Sequence, residues 1–252
     1  DLDKVNNDRI LSIIQDQTSA ARNYTFIFVG NYNDSTIRPL IEHYIASLPN
    51  RKELSDGAFI KTWLKDDTYC HFKRQMETPK TVVNMGWFTE SIPYTLKNYI
   101  TVQAISETLN LLYNQIVREE NSATYGCYAD YYLTRGEKDE YQIGFTADCE
   151  MKPEKCDSAL ALMKNTFFSL SEDIDKSVFR NAKESLLKSL DELEKTKNGF
   201  WLDLIWQKEK RGIDLYSKRR HLIEHLSKKD AIEFVRQLLS QSHFCEILMQ
   251  PE

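Results

Sequence analysis

Val117-Arg118-Glu119-Glu120-Asn121-Ser122-Ala123-Thr124-Tyr125-Gly126 marks the point where helical spacing gives way to strand alternation. Upstream, Val102, Ile105, Leu109, Leu112 and Ile116 step by three and four, which predicts one amphipathic helix from about Tyr94 to Glu119. At 100° per residue Arg118 falls roughly opposite that stripe. Downstream, Tyr125, Cys127, Ala129 and Tyr131 alternate with polar or small neighbours. After Arg135-Gly136-Glu137-Lys138-Asp139, Tyr141, Ile143, Phe145 and Ala147 alternate against Gln142, Gly144, Thr146 and Asp148. A period of two on both arms predicts an antiparallel hairpin with one face on a core. The boundary thus carries a permanent cation and a phenol, Arg118 and Tyr125, at a place where side chains can be aimed while the scaffold stays rigid.

The remaining elements fill in around this junction. Val5, Ile10, Leu11, Ile13 and Ile14 predict a lead-in helix over residues 1–22, and residues 23–252 then read as a single domain. Tyr24-Thr25-Phe26-Ile27-Phe28-Val29 is β-branched or aromatic on both faces and reads as a central strand covered on both sides. A helix over about 34–48 follows, capped by Asp34 or Ser35, with Pro39 near its first turn and Pro49 stopping it. Strand signals lie near 69–76 and 80–88. Helices are expected near 154–170, 175–197, 199–211 and 228–239, and a last strand from His243 to Met249 before Pro251. Glu184/Lys188 and Asp191/Lys195 are four-apart pairs on a solvated face. Phe200, Trp201, Leu204 and Ile205 form an apolar patch read as core. The fold class is α+β: a mostly antiparallel sheet with helices packed on one face.

Composition narrows the function. Of the 252 residues 41% are hydrophobic, enough for a substantial core. The formal charge of −5, without a basic face interleaved with aromatics, speaks against a nucleic-acid partner. No apolar run approaches the roughly 20 residues of a membrane span. The start lacks Met and a signal peptide, so the chain reads as an excised or processed fragment whose compartment is not readable from its start. Five scattered cysteines form no C-x-x-C pair and are expected to be buried free thiols.

One motif competes for the site. His221-Leu222-Ile223-Glu224-His225 spells H-x-x-E-H, two imidazoles for zinc and a carboxylate as general base. Four features count against a working zinc site. A third protein ligand is needed, and only 27 residues follow His225 (252 − 225), with Glu233, Glu246 and Glu252 as their glutamates. Leu222, Ile223 and Leu226 take the apolar side of the helix and turn His221, Glu224 and His225 towards water. Lys218, Arg219, Arg220, Lys228 and Lys229 crowd the motif with positive charge. Ser227-Lys228-Lys229-Asp230 looks like the start of another helix. The motif is therefore read as a decoy on a solvated turn, the alternative being a self-contained zinc hydrolase using these three residues.

Several segments together resemble the insulinase/pitrilysin family of zinc metallopeptidases, the inverzincins. They are Tyr24–Asn31 with Ile41–Pro49, the segment from Val117-Arg118-Glu119-Glu120 through Thr124-Tyr125-Gly126, Asn198-Gly199-Phe200-Trp201-Leu202, and the terminal helix, strand and Pro251. The likeness is greatest to the bacterial periplasmic, pitrilysin-like proteases. It implies a processing-peptidase-like α+β domain in a protein of two halves that close over a chamber. It also implies a periplasmic location, zinc held in a leading half through its own H-x-x-E-H, and a trailing, zinc-free half. In that trailing half an Arg and a Tyr reach to the peptide substrate, and Arg118 and Tyr125 match them in type and seven-residue spacing. The chain alone would then hold no catalytic residue and no cofactor. Its partners would be the zinc-bearing leading half and the peptide. A non-catalytic assembly module is the remaining alternative.

Overall fold

The computed structural model describes residues 4–50, 63–120, 124–135, 141–196, 198–212, 214 and 218–252. Two compact units divide the chain, Asp1–Ile60 and Lys61–Glu252.

In the first unit, α1 (Asn7–Thr18) is capped by Asn6, whose side chain accepts from the Arg9 N–H at 3.0 Å. α2 (Asp34–Tyr44) is capped by Asn33, not by Asp34 or Ser35. The Asn33 carboxamide oxygen accepts from the Ser35 N–H at 2.8 Å and from its hydroxyl at 2.7 Å, and so meets one of the orphan donors of the first turn. Pro39 lies inside α2, past the first turn, where its missing N–H breaks one rung of the ladder. Ala20 and Asn50 form an isolated antiparallel bridge, which the Arg22 Nε–H reinforces by donating to Asn50 Oδ1 at 3.0 Å.

The expected strand Tyr24–Val29 is not formed. Its residues join no ladder, and Tyr24, Phe26 and Phe28 are 44%, 41% and 43% exposed. β-propensity describes fit to a pleated, half-buried surface, and among the described residues of its own unit the segment has no neighbouring strand to supply one.

The second unit is built on a five-stranded sheet in the order β1-β5-β2-β4-β3. Its strands are β1 (Thr68–Arg74), β2 (Thr81–Thr89), β3 (Thr124–Arg135), β4 (Tyr141–Met151) and β5 (His243–Pro251). β1 runs parallel to β5, and the other three pairings are antiparallel. The α+β class and the mostly antiparallel sheet are as the alternation indicated. Val83, Met85 and Trp87 of β2, Cys127 and Ala129 of β3, and Ile143, Phe145, Ala147 and Cys149 of β4 are buried in one core cluster with residues of the helices.

α3 (Leu96–Leu112) differs from its expected form. A single apolar stripe facing the core would leave the opposite side of the helix exposed; instead Tyr99 through Ser106, Thr108 and Leu109 are all buried. The helix runs between the sheet and α5 (Lys176–Thr196), α7 (Arg219–His225) and α8 (Lys228–Gln241), so it is covered nearly all round. It also ends early: Tyr113–Glu120 continues as a π-helix. α4 (Cys156–Ser169) and α6 (Asn198–Arg211) complete the unit. In α6 Leu204 is buried and Phe200 and Ile205 are half-buried, but Trp201 is 47% exposed and is not core. The four-apart pairs on α5 give way to other partners. Glu184 meets Arg180 at 3.7 Å, and Asp191 and Glu194 both meet Arg220 of α7, at 2.5 and 3.3 Å.

Candidate functional site

Arg118 belongs to the π-helical segment Tyr113–Glu120 that joins α3 to β3. Such segments are rare and frequent at functional sites, because the wider turn re-aims the residues after it. Here the turn is anchored from inside. Tyr113 and Val117 are fully buried, and the Tyr113 hydroxyl donates to the Met163 carbonyl of α4 at 3.2 Å. Burial holds the Tyr113 phenol well above the usual tyrosine range, so it remains a neutral donor. Arg118, next to Val117, is exposed.

Tyr125 lies in β3 at its irregular start. Thr124 pairs with Met151 and Gly126 with Glu150, so Tyr125 is the extra residue of a β-bulge. The Thr124 hydroxyl closes the bulge by contacts to the carbonyls of Gly126 (2.8 Å) and Glu150 and by meeting the Gly126 N–H at 3.0 Å. Bulges re-aim side chains, so both candidates sit at points where regular geometry is broken. The expected role of the Tyr125 side chain lies outside the described side chains.

The sheet surface beside the bulge forms a shallow depression lined by Val82, Gly126, Tyr128, Asp148, Cys149 and Glu150. The Tyr128 ring lies over Gly126, where a Cβ would stand 2.8 Å from ring carbon Cε2 and 2.9 Å from the hydroxyl oxygen. Asp148 accepts from the Asn84 amide at 2.5 Å, and Glu150 from Lys80 at 2.8 Å.

β3 is the outer strand, and its free edge is covered by α3. The Asn110 amide donates to the Ala129 carbonyl at 2.8 Å, its oxygen accepts from the Ala129 N–H at 2.7 Å, and the Ser106 hydroxyl donates to the same carbonyl at 3.1 Å. Sequence reading missed Asn110 and Ser106. Both lie to one side of the predicted apolar stripe, and no local spacing marks them.

His221, Glu224 and His225 share the exposed side of α7, while Ile223 and Leu226 are buried. The two imidazoles stack, with centroids 4.0 Å apart and planes 15° apart, and His225 Nδ1 is 2.8 Å from the His221 carbonyl. Ser227 and Asp230 form a capping box that starts α8. Among the described residues no group of three or more His, Cys, Asp or Glu side chains is placed to hold a metal. Glu246, one of the glutamates after the motif, is buried on β5 and is met by Lys164 at 2.5 Å and His71 at 2.8 Å.

The chain matches the family model described as the peptidase M16 inactive domain over residues 4–186, and it belongs to that family, the insulinase-like and pitrilysin-like metallopeptidases. A search of curated proteins found no match. Among solved structures it is similar to the periplasmic protease PqqL from Escherichia coli, at 17% identity and a TM-score of 0.69, covering 88% of this chain and 25% of that one. It is also similar to the ferredoxin protease FusC, solved in complex with Arabidopsis ferredoxin, at 14% identity and a TM-score of 0.71, covering all of this chain and 27% of that one. A third likeness is to a peptidase M16 inactive domain from Pseudomonas fluorescens, at 15% identity and a TM-score of 0.67, covering 88% and 52%. At these identities the likenesses establish the fold. The chain spans about a quarter of the length of the first two and about half of the third. Among the described residues no helix is long and apolar enough to cross a membrane.

Proposed function

We propose that this chain is the trailing, zinc-free domain of a zinc metalloendopeptidase and that it closes the substrate chamber and positions the peptide. The observation that carries the reading is the match to the family's inactive domain, together with Arg118 exposed on a π-helical turn that leads into the bulge holding Tyr125. A guanidinium offers fixed donors to peptide carbonyls or a carboxylate. A phenol can donate to the oxygen that gains charge when the scissile amide becomes tetrahedral. Neither task requires a proton to be taken up or lost at neutral pH.

The described residues of this chain do not fit zinc. Zinc needs at least three protein ligands, while His221 and His225 stack on an exposed face beside Glu224 with no further donor brought to them among the described residues. Glu246 is committed to Lys164 and His71. In this reading the metal and the general base belong to a leading half, which would be this domain's partner along with the peptide. A periplasmic location is the compartment that the PqqL likeness favours.

The test is peptide hydrolysis by the parent protein. Arg118→Ala and Tyr125→Phe should each lower kcat/KM, while His221→Ala should leave turnover and bound zinc unchanged. Unchanged turnover in both of the first two variants would leave an assembly role instead, and loss of zinc in the third would return the metal site to this chain.

A further inference from the structure

Cys127 and Cys149 stand directly opposite each other on β3 and β4, and both are buried. In an antiparallel pair, opposed residues alternate between those that exchange both backbone hydrogen bonds and those whose N–H and C=O point outward. The N–H and C=O of Ala129 go to Asn110 and Ser106 on the outer side of β3, away from β4, so Ala129 and Ala147 are an outward-pointing pair. Cys127 and Cys149 are two residues along and share that phase. Opposed residues of this kind have Cα atoms about 4.5 Å apart, and their side chains approach most closely. A disulfide requires Cα atoms roughly 4.4–6.8 Å apart and Cβ atoms roughly 3.5–4.5 Å apart. The register therefore sets the two thiols side by side on one face of the sheet, both free in this structure.

The other three cysteines lack this geometry. Cys245 opposes Thr68 and Cys70 opposes Ile247, so those two are not paired across β1 and β5. Cys156 is buried at the start of α4 and receives the Gln250 amide on its sulfur at 3.8 Å.

We infer that Cys127 and Cys149 form a cross-strand disulfide, made by exchange with an external disulfide and reversed by an external thiol. One of the two thiols loses its proton to solvent and attacks one sulfur of the incoming disulfide, forming a mixed disulfide and expelling one thiolate. The other then loses its proton to solvent and attacks the protein sulfur of the mixed disulfide, expelling the second thiolate. Two protein thiols are oxidised and one disulfide is reduced to two thiols. Because both sulfurs are buried, exchange waits on local opening of the β3–β4 pair. The bond ties the edge strand to its neighbour two residues after Tyr125. It does not depend on the function proposed for Arg118 and Tyr125.

Incubation of the protein with glutathione disulfide at sub-denaturing urea, followed by alkylation and peptide mapping, tests this. The expected product is a peptide pair linking Cys127 to Cys149, absent in Cys149→Val, with intact mass lower by two hydrogens. The oxidised form should unfold at a higher urea midpoint than the reduced form, and dithiothreitol should restore the lower one. Two alkylatable thiols at these positions after full unfolding, a stable glutathione adduct at either of them, or a link from either to Cys156 would overturn the inference. The wild-type protein decides the matter by itself, so a poorly folding variant does not rescue it.

Discussion

Asn110 and Ala129 exchange two hydrogen bonds, the side-chain amide of one serving both backbone groups of the other at 2.8 and 2.7 Å. A sheet edge left open exposes unpaired N–H and C=O groups to other chains, and here a helix side chain closes it in the middle of β3. Asn110→Ala should lower stability by about 1–3 kcal/mol, because the Ala129 N–H loses its partner while its carbonyl keeps Ser106. Asn110→Asp keeps the acceptor for the N–H but sets a second carboxylate oxygen against the Ala129 carbonyl, so it should not recover the loss. Urea denaturation gives both values. Amide exchange at Ala129 should accelerate in the alanine variant; equal protection would show that the amide bridge does not hold the edge.

Gly144 and Gly126 predict opposite outcomes for the same substitution. A Cβ on Gly144 would lie 1.9 Å from the Trp87 carbonyl oxygen, a backbone atom held in the β2–β4 ladder. Gly144→Ala should push the central strands apart and cost about 3 kcal/mol or more, seen as a large drop in the denaturation midpoint. At Gly126 the clash is with the exposed ring of Tyr128, which can swing away. Gly126→Ala should therefore change the midpoint little while moving Tyr128 off the depression beside the bulge. A tyrosine absorbance difference spectrum that disappears in a Tyr128→Phe background would register that movement.

These contrasts separate what the sequence encodes locally from what only tertiary contact decides. The alternation of Cys127, Ala129 and Tyr131 against Ile143, Phe145 and Ala147 was readable because one covered face imposes a period of two. The Ser227/Asp230 cap was readable because its partners are three residues apart. Tyr24–Val29 looked like a strand on propensity alone, yet a strand exists only where another lies beside it. The π-helical turn at Tyr113–Glu120 has no distinctive spacing; it follows from the buried Tyr113 ring and Val117 being held in place. Asn110 reaches 19 residues along the chain, beyond any local rule. The H-x-x-E-H string was visible at once, but a zinc site depends on a third ligand that only the fold can bring.

Asp230 links the start of α8 to α3, and its effect should depend on pH. Lys97 at 2.5 Å, with the Ser227 hydroxyl and N–H, holds its carboxyl below the usual aspartate range. A carboxyl lowered in the folded state stabilises the fold above its unfolded pKa, about 3.9, and that contribution disappears as pH falls through the lower folded value. Asp230→Asn should therefore be less stable than wild type by a constant amount above about pH 5, with the gap closing below about pH 4. Urea midpoints across that range check it, and a gap that stays constant into acid would assign the loss to packing and not to charge.

Arg118 and Tyr125 can be told apart by kinetics in the parent enzyme. A phenol that donates only to the tetrahedral oxygen acts in the transition state, so Tyr125→Phe should lower kcat by about 100-fold and leave KM nearly unchanged. A guanidinium that grips the peptide before and during reaction binds both states, so Arg118→Ala should mainly raise KM. Arg118→Lys should recover little of the loss, because an ammonium lacks the planar fork of donors. If both groups hold one stretch of peptide, the double variant should lose less than the product of the two single losses, since removing either group already loosens the geometry the other relies on. Fully multiplicative losses would instead mean that the π-helical turn and the bulge act on separate parts of the substrate.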